Sequence, residues 1–411
     1  MNTSDLAVGR RFWLDTSPRA PLRYGRLSGR HDTEIAIVGG GMTGALAAHA
    51  FASAGVATTL LEGAHIGRGS TAASSALLLQ EPDQELRRLA KQYGTATSRR
   101  MWELSRDSAR ELVSLLTRLK IPCGLQRRDS VYYAGRSDVD ALRREHALRR
   151  RLGFGATWLE PGTLRRLTAI TAPGAIRTTG GAQFDPYRAC VGIAAAAARA
   201  GAEVFEQSPV RRITPTRDGV EVRTRDGVVT AKRVIIATGY ATQDFKPLAG
   251  RFEMFRTYVL VTEPVDAARR RDIGLGNVML WNSERPYHYA RWTSDRRLLL
   301  GGSDRLVAPG QRRRQQLRTA TAALRDYFEE RLPGMAGVAT ECAWEGLFAV
   351  TPDSLPYIGP HRRYPRHWFA LGYGGNGLTF AHLAARLLLE RWQERGTRDH
   401  DLFGFDRQPR R

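Results

Sequence analysis

The sequence predicts an α/β protein in which a Rossmann-like domain is interleaved with a sheet-rich domain of α+β character. Three observations predict it. Residues 34–38 form a short β-branched run that leads into a glycine-rich turn and an alanine-rich helix. Two more buried-strand patterns, residues 56–61 and 234–237, lie far apart in the chain. The stretches between and after them carry strands of a different, aromatic texture. The 411 residues also exceed one ordinary domain.

In chain order, residues 1–33 are polar, rich in Pro and Arg, and read as an extended lead-in. Strand 34–38, glycines 39–41 and 44, helix 45–54 and strand 56–61 then make one β-turn-α-β unit. Residues 83–120 have the apolar spacing of an amphipathic helix, 131–133 of a strand, and 138–152 of another helix. Residues 187–200 predict an alanine-rich helix stopped by Gly201. Short strands are expected at 204–205, 210–213, 220–223 and 228–229, with a hairpin turn at Asp226 and Gly227. Residues 234–237 are a third buried strand, closed by Thr238 and Gly239. From residue 255 the pattern changes to alternating strands at 255–262, 287–292 and 298–300. A charged helix over 309–332 and an amphipathic helix over 378–392 complete the chain. No internal repeat is visible.

The formal net charge is +22, and all but four of the 63 basic residues are arginine. A basic surface attracts phosphates, anionic lipids or acidic substrates. Here the arginines are spread along the chain rather than gathered in one block, which speaks for compositional bias and against nucleic acid. Cys123, Cys190 and Cys342 are far apart and in no C-x-x-C spacing, so neither a disulfide framework nor a metal site is expected. The N-terminal segment has no apolar signal region, and no run of 18 apolar residues occurs. A cytoplasmic protein without a transmembrane segment is the expectation.

The chemistry begins at Gly39, Gly41 and Gly44. This triplet follows a strand and opens a helix, and Glu62 stands eighteen residues after Gly44. Gly39 permits the tight turn, Gly41 lets backbone N–H groups approach a pyrophosphate, and Gly44 permits close helix–strand packing. Met42 and Thr43 lie in the same turn, and the helix N-terminus offers free donors to phosphate. Glu62 can accept from both ribose hydroxyls and disfavours a 2′-phosphate. The motif alone leaves FAD and NAD both open.

Residues 37–44, 61–63 and 67–73, with Asp185-Pro186 opening a helix, residues 234–239, 351–359 and 371–379, resemble the D-amino-acid oxidase-like superfamily of flavoproteins. The resemblance spans about residues 34 to 393. It implies FAD as cofactor, and the order of elements suggests a discontinuous FAD-binding domain of residues 34–95, 182–245 and 345–411. Residues 96–181 and 246–344 would form the substrate domain. It places Arg68, Ser70, Thr71 and Ala73 along the pyrophosphate and flavin, Val210 at the adenine, and Thr238 and Gly239 near the ribose and phosphates. Gly375, Asn376, Gly377 and Leu378 would begin a helix aimed at the flavin pyrimidine ring, where reduced flavin carries negative charge. Some members attach FAD to a cysteine seven residues before the position of Asp353. Gly346 stands there and Cys342 is displaced by four, so non-covalent FAD is expected.

Such a protein oxidises the C–N bond of an amine or amino acid by hydride transfer to flavin N5. The imine then hydrolyses, and O2 or an electron carrier re-oxidises the flavin. No other catalytic dyad is required, and no Ser/His/Asp set, metal cluster or P-loop is visible. A carboxylate-bearing substrate calls for an arginine clamp with aromatic walls. Tyr287, Tyr289 and Arg291 share one face of a strand, with His288 on the other. Arg256 and Tyr258 alternate likewise on an earlier strand. Tyr258, Tyr289 and Arg291 are therefore the expected catalytic pocket, with Arg291 as the clamp. Ordinary edge-strand aromatics and surface arginines give the same pattern. His288 reads first as a structural histidine and second as a general base. Trp344 and Phe348 line the pocket or pack in the core. Two alternatives remain: an FAD-dependent tRNA-modifying oxidase, and a membrane-surface flavoprotein dehydrogenase feeding a quinone or partner.

Overall fold

The computed structural model describes residues 8–17, 23–135, 138–240 and 245–409, and two sheets organise them. The first sheet has eight strands. Its path runs Tyr357–His361, Tyr364–Leu371, Gly227–Gly239, Gly29–Val38, Thr58–Leu61, Glu203–Phe205. Apart from the hairpin at the first two strands, neighbours along this path are parallel. Parallel strands are covered on both faces, which explains the continuous apolar run Ile35, Ala36 and Ile37, each fully buried. Helix Met42–Ser53 packs against both Pro186–Arg199 and Gly377–Trp392, and the three bury Ile35 and Ile37. The hairpin of Arg212–Pro215 and Val220–Arg223 joins Phe245 and Phe369 over the other face.

The second sheet has nine strands and is mostly antiparallel. One of its faces carries Tyr258, Leu260, Leu298 and Leu300 against Ala320, Leu324 and Phe328 of helix Arg313–Arg331. The opposite face carries Val259, Val261, Leu299 and Tyr289, packed with Trp344, Phe12 and Trp13. This alternation decides below which residues can meet a ligand.

Several elements differ from the sequence expectation for local reasons. The long helix expected over 83–120 is two, Leu86–Tyr93 and Thr95–Arg118, because Gly94 takes φ +82 between them. The strands expected at 228–229 and 234–237 are one strand, Gly227–Gly239. Its first half pairs with Val220–Arg223 across the expected turn. The lead-in is more structured than its polarity suggests. Helix Phe12–Thr16 buries Phe12 and Trp13, and the first strand already begins at Gly29. Residues 1–7 and 18–22 lie outside the described residues. Asp185 caps Pro186–Arg199 by accepting from the backbone N–H of Tyr187 (2.9 Å) and Arg188 (3.0 Å), with Pro186 at the first helical position. Among the described residues, no helix is long and apolar enough to cross a membrane.

Candidate active site

A cavity of 1550 Å³ opens at the carboxyl ends of strands Gly29–Val38, Thr58–Leu61 and Gly227–Gly239. It runs without interruption to the second sheet, where Tyr287 and Tyr289 line it. Ligands of open parallel sheets bind at that end of the strands. The volume exceeds the roughly 300–1,000 Å³ of an ordinary small-molecule pocket, so a dinucleotide and a substrate can share it.

The glycine turn forms the dinucleotide end. Gly39 has φ +110, and a Cβ there would stand 2.7 Å from the Ala237 carbonyl oxygen. A Cβ on Gly44 would fall 1.8 Å from the Gly39 carbonyl oxygen, so this glycine is fixed by helix–strand packing and stays outside the cavity wall. Gly41, Met42 and Thr43 line the cavity. At Gly41 the nearest atom to a built Cβ is Thr71 Oγ1 at 3.3 Å, so the backbone is bare toward the cavity. Thr71 Oγ1 accepts from the Met42 N–H (3.0 Å) and ties the turn to helix Ser70–Ala73.

Glu62 lines the cavity beside the turn. Its carboxylate accepts from the N–H of Gly40 (2.7 Å) and of Ala64 (2.8 Å). Burial pushes its pKa up, opposed by those two bonds. A carboxylate has about four acceptor sites, so two remain for a ribose diol. Ser70, Ala73, Val210, Thr238, Gly239, Gly375, Gly377 and Leu378 also line the cavity. Two expected residues do not. The Arg68 side chain is exposed, and Arg68 meets the fold through its carbonyl, which accepts from Arg11. Asn376 is buried and its Nδ2 donates to the Glu81 carbonyl. The bare glycine backbone, the acceptor carboxylate and the adjoining helix N-terminus fit a dinucleotide cofactor.

At the far end, only one of the three expected catalytic residues reaches the cavity. Tyr289 lines it, with its hydroxyl 3.4 Å from Thr257 Oγ1 and its pKa pushed up to about 12, first by burial. Tyr258 is fully buried on the helix-covered face of the second sheet. The neighbours that alternate with it, Phe255 and Thr257, face the cavity instead. Arg256 shares the Tyr258 face and lies 3.5 Å from the Glu345 carboxylate. Arg291 does share a face with Tyr289, but one step further along the strand it has left the cavity. Its Nε donates to the Ser75 carbonyl (2.8 Å), and its guanidinium lies 5.3 Å from the Trp13 ring centre. Arg291 is 1% exposed, and burial pushes its pKa down to about 9. Trp13 itself is pinned by donating to the Ser74 carbonyl (2.8 Å). The N-terminal helix, not a substrate, thus covers the expected clamp.

His288 lies on the opposite face, stacked on Tyr327 at 3.7 Å, and burial lowers its pKa to about 4. It is neutral at physiological pH and outside the cavity lining. Trp344 is a core residue donating to the Ala73 carbonyl (2.9 Å), whereas Phe348 lines the cavity. Cys342 is buried in the same cluster as Trp344.

The cavity also holds polar residues not expected from the sequence: Asp83, Arg285 and Asp304, beside Trp281 and Tyr287. Tyr287 alone carried a signal, its alternation with Tyr289. Asp83 accepts from the Gly375 N–H. It opens onto the cavity, but protein crowds its carboxyl from the other sides, and this burial pushes its pKa up to about 6 against the pull of Gly375 and Arg285. Burial likewise pushes Asp304 up to about 7, helped by the charge of Asp83 and opposed by Thr257, Arg285 and Tyr287.

Comparison with known proteins gives this geometry relatives. The profile of the DAO family, described as FAD dependent oxidoreductase, matches residues 34–391. The gamma-glutamylputrescine oxidoreductase of Escherichia coli (strain K12) is 29% identical over 364 residues, covering 87% of this chain and 83% of that protein. A glycine oxidase of Bacillus licheniformis is 25% identical over 371 residues, covering 88% and 92%. Among solved structures, glycine oxidase from Geobacillus kaustophilus superposes with a TM-score of 0.74 at 23% identity, over 92% of this chain and 99% of that one.

Proposed function

Given that this chain belongs to the DAO family of FAD-dependent oxidoreductases, we propose that it oxidises the C–N bond of an amine or amino acid in the cavity described above. The coarser statement stands on kinship: it is an FAD-dependent amine or amino-acid oxidase or dehydrogenase. The observation that carries the finer one is the continuity of the cavity. One void joins the glycine turn and Glu62 to the tyrosines of the second sheet, so cofactor and substrate meet without a solvent gap.

FAD, when bound, supplies the acceptor for the hydride leaving the carbon beside nitrogen. The residues around it bind, orient and keep the site dry. The turn at Gly39, Gly41, Met42 and Thr43, with Ser70, Thr71 and Ala73, would hold the pyrophosphate side, and Glu62 the ribose. Val210, Thr238 and Gly239 belong to the adenosine half, and Gly375, Gly377 and Leu378 to the flavin half. Tyr289, Tyr287 and Trp281 wall the substrate end, and Thr257 fixes the Tyr289 hydroxyl. The imine product would hydrolyse in water, and O2 or a carrier would accept the electrons. The N-terminal helix shields the strand behind Tyr289, which limits water entry from that side.

The test is anaerobic addition of amino acids, N-methyl amino acids and polyamine derivatives to purified holoenzyme. Bleaching of the flavin absorbance by one of these classes is the expected result, and repetition in air tells oxidase from dehydrogenase. A colourless protein that cannot be reconstituted with FAD, or a yellow one that no amine bleaches, would overturn the proposal.

A further inference from the structure

Asp83 and Asp304 come from segments more than two hundred residues apart and both lie beside Tyr287 on the cavity wall. Asp83 Oδ2 and the Tyr287 hydroxyl both lie 2.9 Å from the point where a Cβ on Gly375 would stand. Tyr287 also lies close enough to Asp304 to favour its ionised form. Both acids, Tyr287, Tyr289 and Trp281 line the cavity. Trp281 is held in place by stacking on Tyr132 at 3.8 Å.

Asp304 is aimed into the cavity by a fault in its strand. On Leu298–Leu306, Leu299 and Gly301 face Tyr289, so plain alternation would send Asp304 the other way, toward Leu298 and Leu300. The pairing with Glu253–Thr262 slips between Arg256 and Tyr258, so that Ser303 and Asp304 together oppose Thr257. Ser303 takes φ +57 at this bulge. A bulge of this kind turns the following side chain to the other face. Asp304 is then half-buried on the cavity wall, with Oδ1 turned into the protein away from solvent.

A pair of acids on one cavity wall, among tyrosine and tryptophan faces, suits one ligand chemistry. Carboxylates attract a cation and accept its N–H bonds, and aromatic faces add cation–π attraction. The geometry points to an ammonium-binding subsite formed by Asp83 and Asp304 among Trp281, Tyr287 and Tyr289, through which the enzyme recognises its substrate by positive charge. This rests on the cavity being the amine-oxidising site. The substrate is then a cationic amine. A carboxylate on it has Arg285, also on the cavity wall, as its available cation, in place of the covered Arg291.

The probes are three isosteres that the enzyme cannot oxidise, since none has hydrogen on the carbon beside its polar group: tert-butylamine, tert-butanol and pivalate. Binding to the holoenzyme is followed by calorimetry and by perturbation of the flavin spectrum. The amine is expected to bind at least tenfold tighter than the alcohol or the acid. Asp304→Asn and Asp83→Asn, each checked for a normal flavin spectrum, should each weaken the amine at least tenfold and leave the alcohol within twofold.

A second readout is protonic. A cation ionises the pair, so binding releases a proton, and amine affinity rises roughly tenfold from pH 5.5 to pH 8. Arg285, Tyr287, Tyr289 and Thr257 face the pair, and neither tyrosine titrates in that window. His367, elsewhere on the cavity wall, is held at about 4 by burial. Pivalate bound as tightly as the amine, or unaltered amine binding in both variants, would overturn the subsite. An enzyme bleached by amines yet indifferent to the charge of the probe keeps the amine-oxidising function and loses the subsite. One that selects tert-butylamine while no amine bleaches its flavin keeps the cation preference and loses the function it was built on.

Discussion

Arg407, four residues from the C-terminal end of the chain, holds a wall of the cavity from outside. Its guanidinium donates to both oxygens of Asp353 (2.7 Å each) and to the carbonyls of Leu355 and Pro356 (2.8 Å each). Each side chain of the pair is 5% exposed. Asp353 in turn accepts from the Tyr93 hydroxyl (2.5 Å), the Thr351 hydroxyl (3.0 Å) and the Leu355 N–H (3.2 Å). Between them lies Ser354, at φ +57, on the cavity wall. Arg407→Met removes the cation and leaves a buried carboxylate with weaker partners. Breaking one side of such a pair costs about 3–5 kcal/mol. At about 2 °C per kcal/mol for a chain of this size, thermal unfolding should fall by roughly 6–10 °C.

The pH dependence has a definite sign. Burial works to raise the pKa of Asp353, but the bonds and charge of Arg407, with Tyr93, outweigh it and hold the carboxyl below its ordinary value. An acid whose folded pKa is depressed contributes stability above its unfolded pKa of about 3.9, and loses it as pH falls through the folded value. With Arg407 gone, burial raises the Asp353 carboxyl of the variant, so the penalty of Arg407→Met should be largest near pH 8 and shrink as pH falls toward 4. Scanning calorimetry of holoenzyme across that range, with flavin release followed by fluorescence, measures both effects. A loss under about 2 °C at pH 7, or a penalty that grows on acidification, would refute the reasoning.

Three further outcomes follow from the same geometry. Glu62→Gln keeps the shape of the side chain but turns an amide NH2 toward the N–H of Gly40 or Ala64. A lost charged acceptor is worth about 1.5–3 kcal/mol, so FAD affinity in reconstitution titrations should fall roughly tenfold to a hundredfold, and an unchanged affinity would remove Glu62 from the cofactor site. Arg291→Met replaces a buried cation that donates only to carbonyls. The ratio of kcat/KM for carboxylate-bearing and carboxylate-free amines should change less than about threefold, and a selective tenfold loss of the former would restore Arg291 as a clamp. With a net charge of +22, the protein as a whole repels a cationic substrate until salt screens it. The kcat/KM for an amine should rise about two- to threefold between 0.02 and 0.2 M salt, as the Debye length shortens to under about 10 Å. A fall over that range points to an anionic substrate.

The glycine-turn end of the cavity was legible in the sequence because its determinants are local. Gly39, Gly41 and Gly44 are needed for a turn between two adjacent elements, and Glu62 ends the very next strand. The strands around them are buried on both faces, so apolar runs mark them plainly. The substrate end was not legible in the same way. Alternation correctly put Tyr287, Tyr289 and Arg291 on one face, yet could not say where along the strand the cavity stops. That limit is set by Phe12 and Trp13, which sit in a segment whose polar, Pro- and Arg-rich composition suggests no packing at all. For the strand of Tyr258, alternation gave two faces and no means of choosing between them. The choice is made by helix Arg313–Arg331, which covers Tyr258 and leaves Thr257 to the cavity.

Asp304 shows why the hidden part is also the part that bears on specificity. A regular strand would have placed it on the helix-covered face with Tyr258, away from the cavity. The bulge at Ser303 carries it instead to the face where Thr257, Tyr287 and Asp83 converge. The framework around the glycine turn follows from repeating local rules. Recognition of the substrate depends on exceptions to those rules: a one-residue slip in a sheet, a loop acid reaching Gly375, and an N-terminal helix closing over an arginine. Exceptions of this kind can change between relatives without disturbing the core. The polarity of this cavity, acidic at Asp83 and Asp304 with Arg285 beside them, is therefore a property of this chain's own residues and is to be measured on it directly.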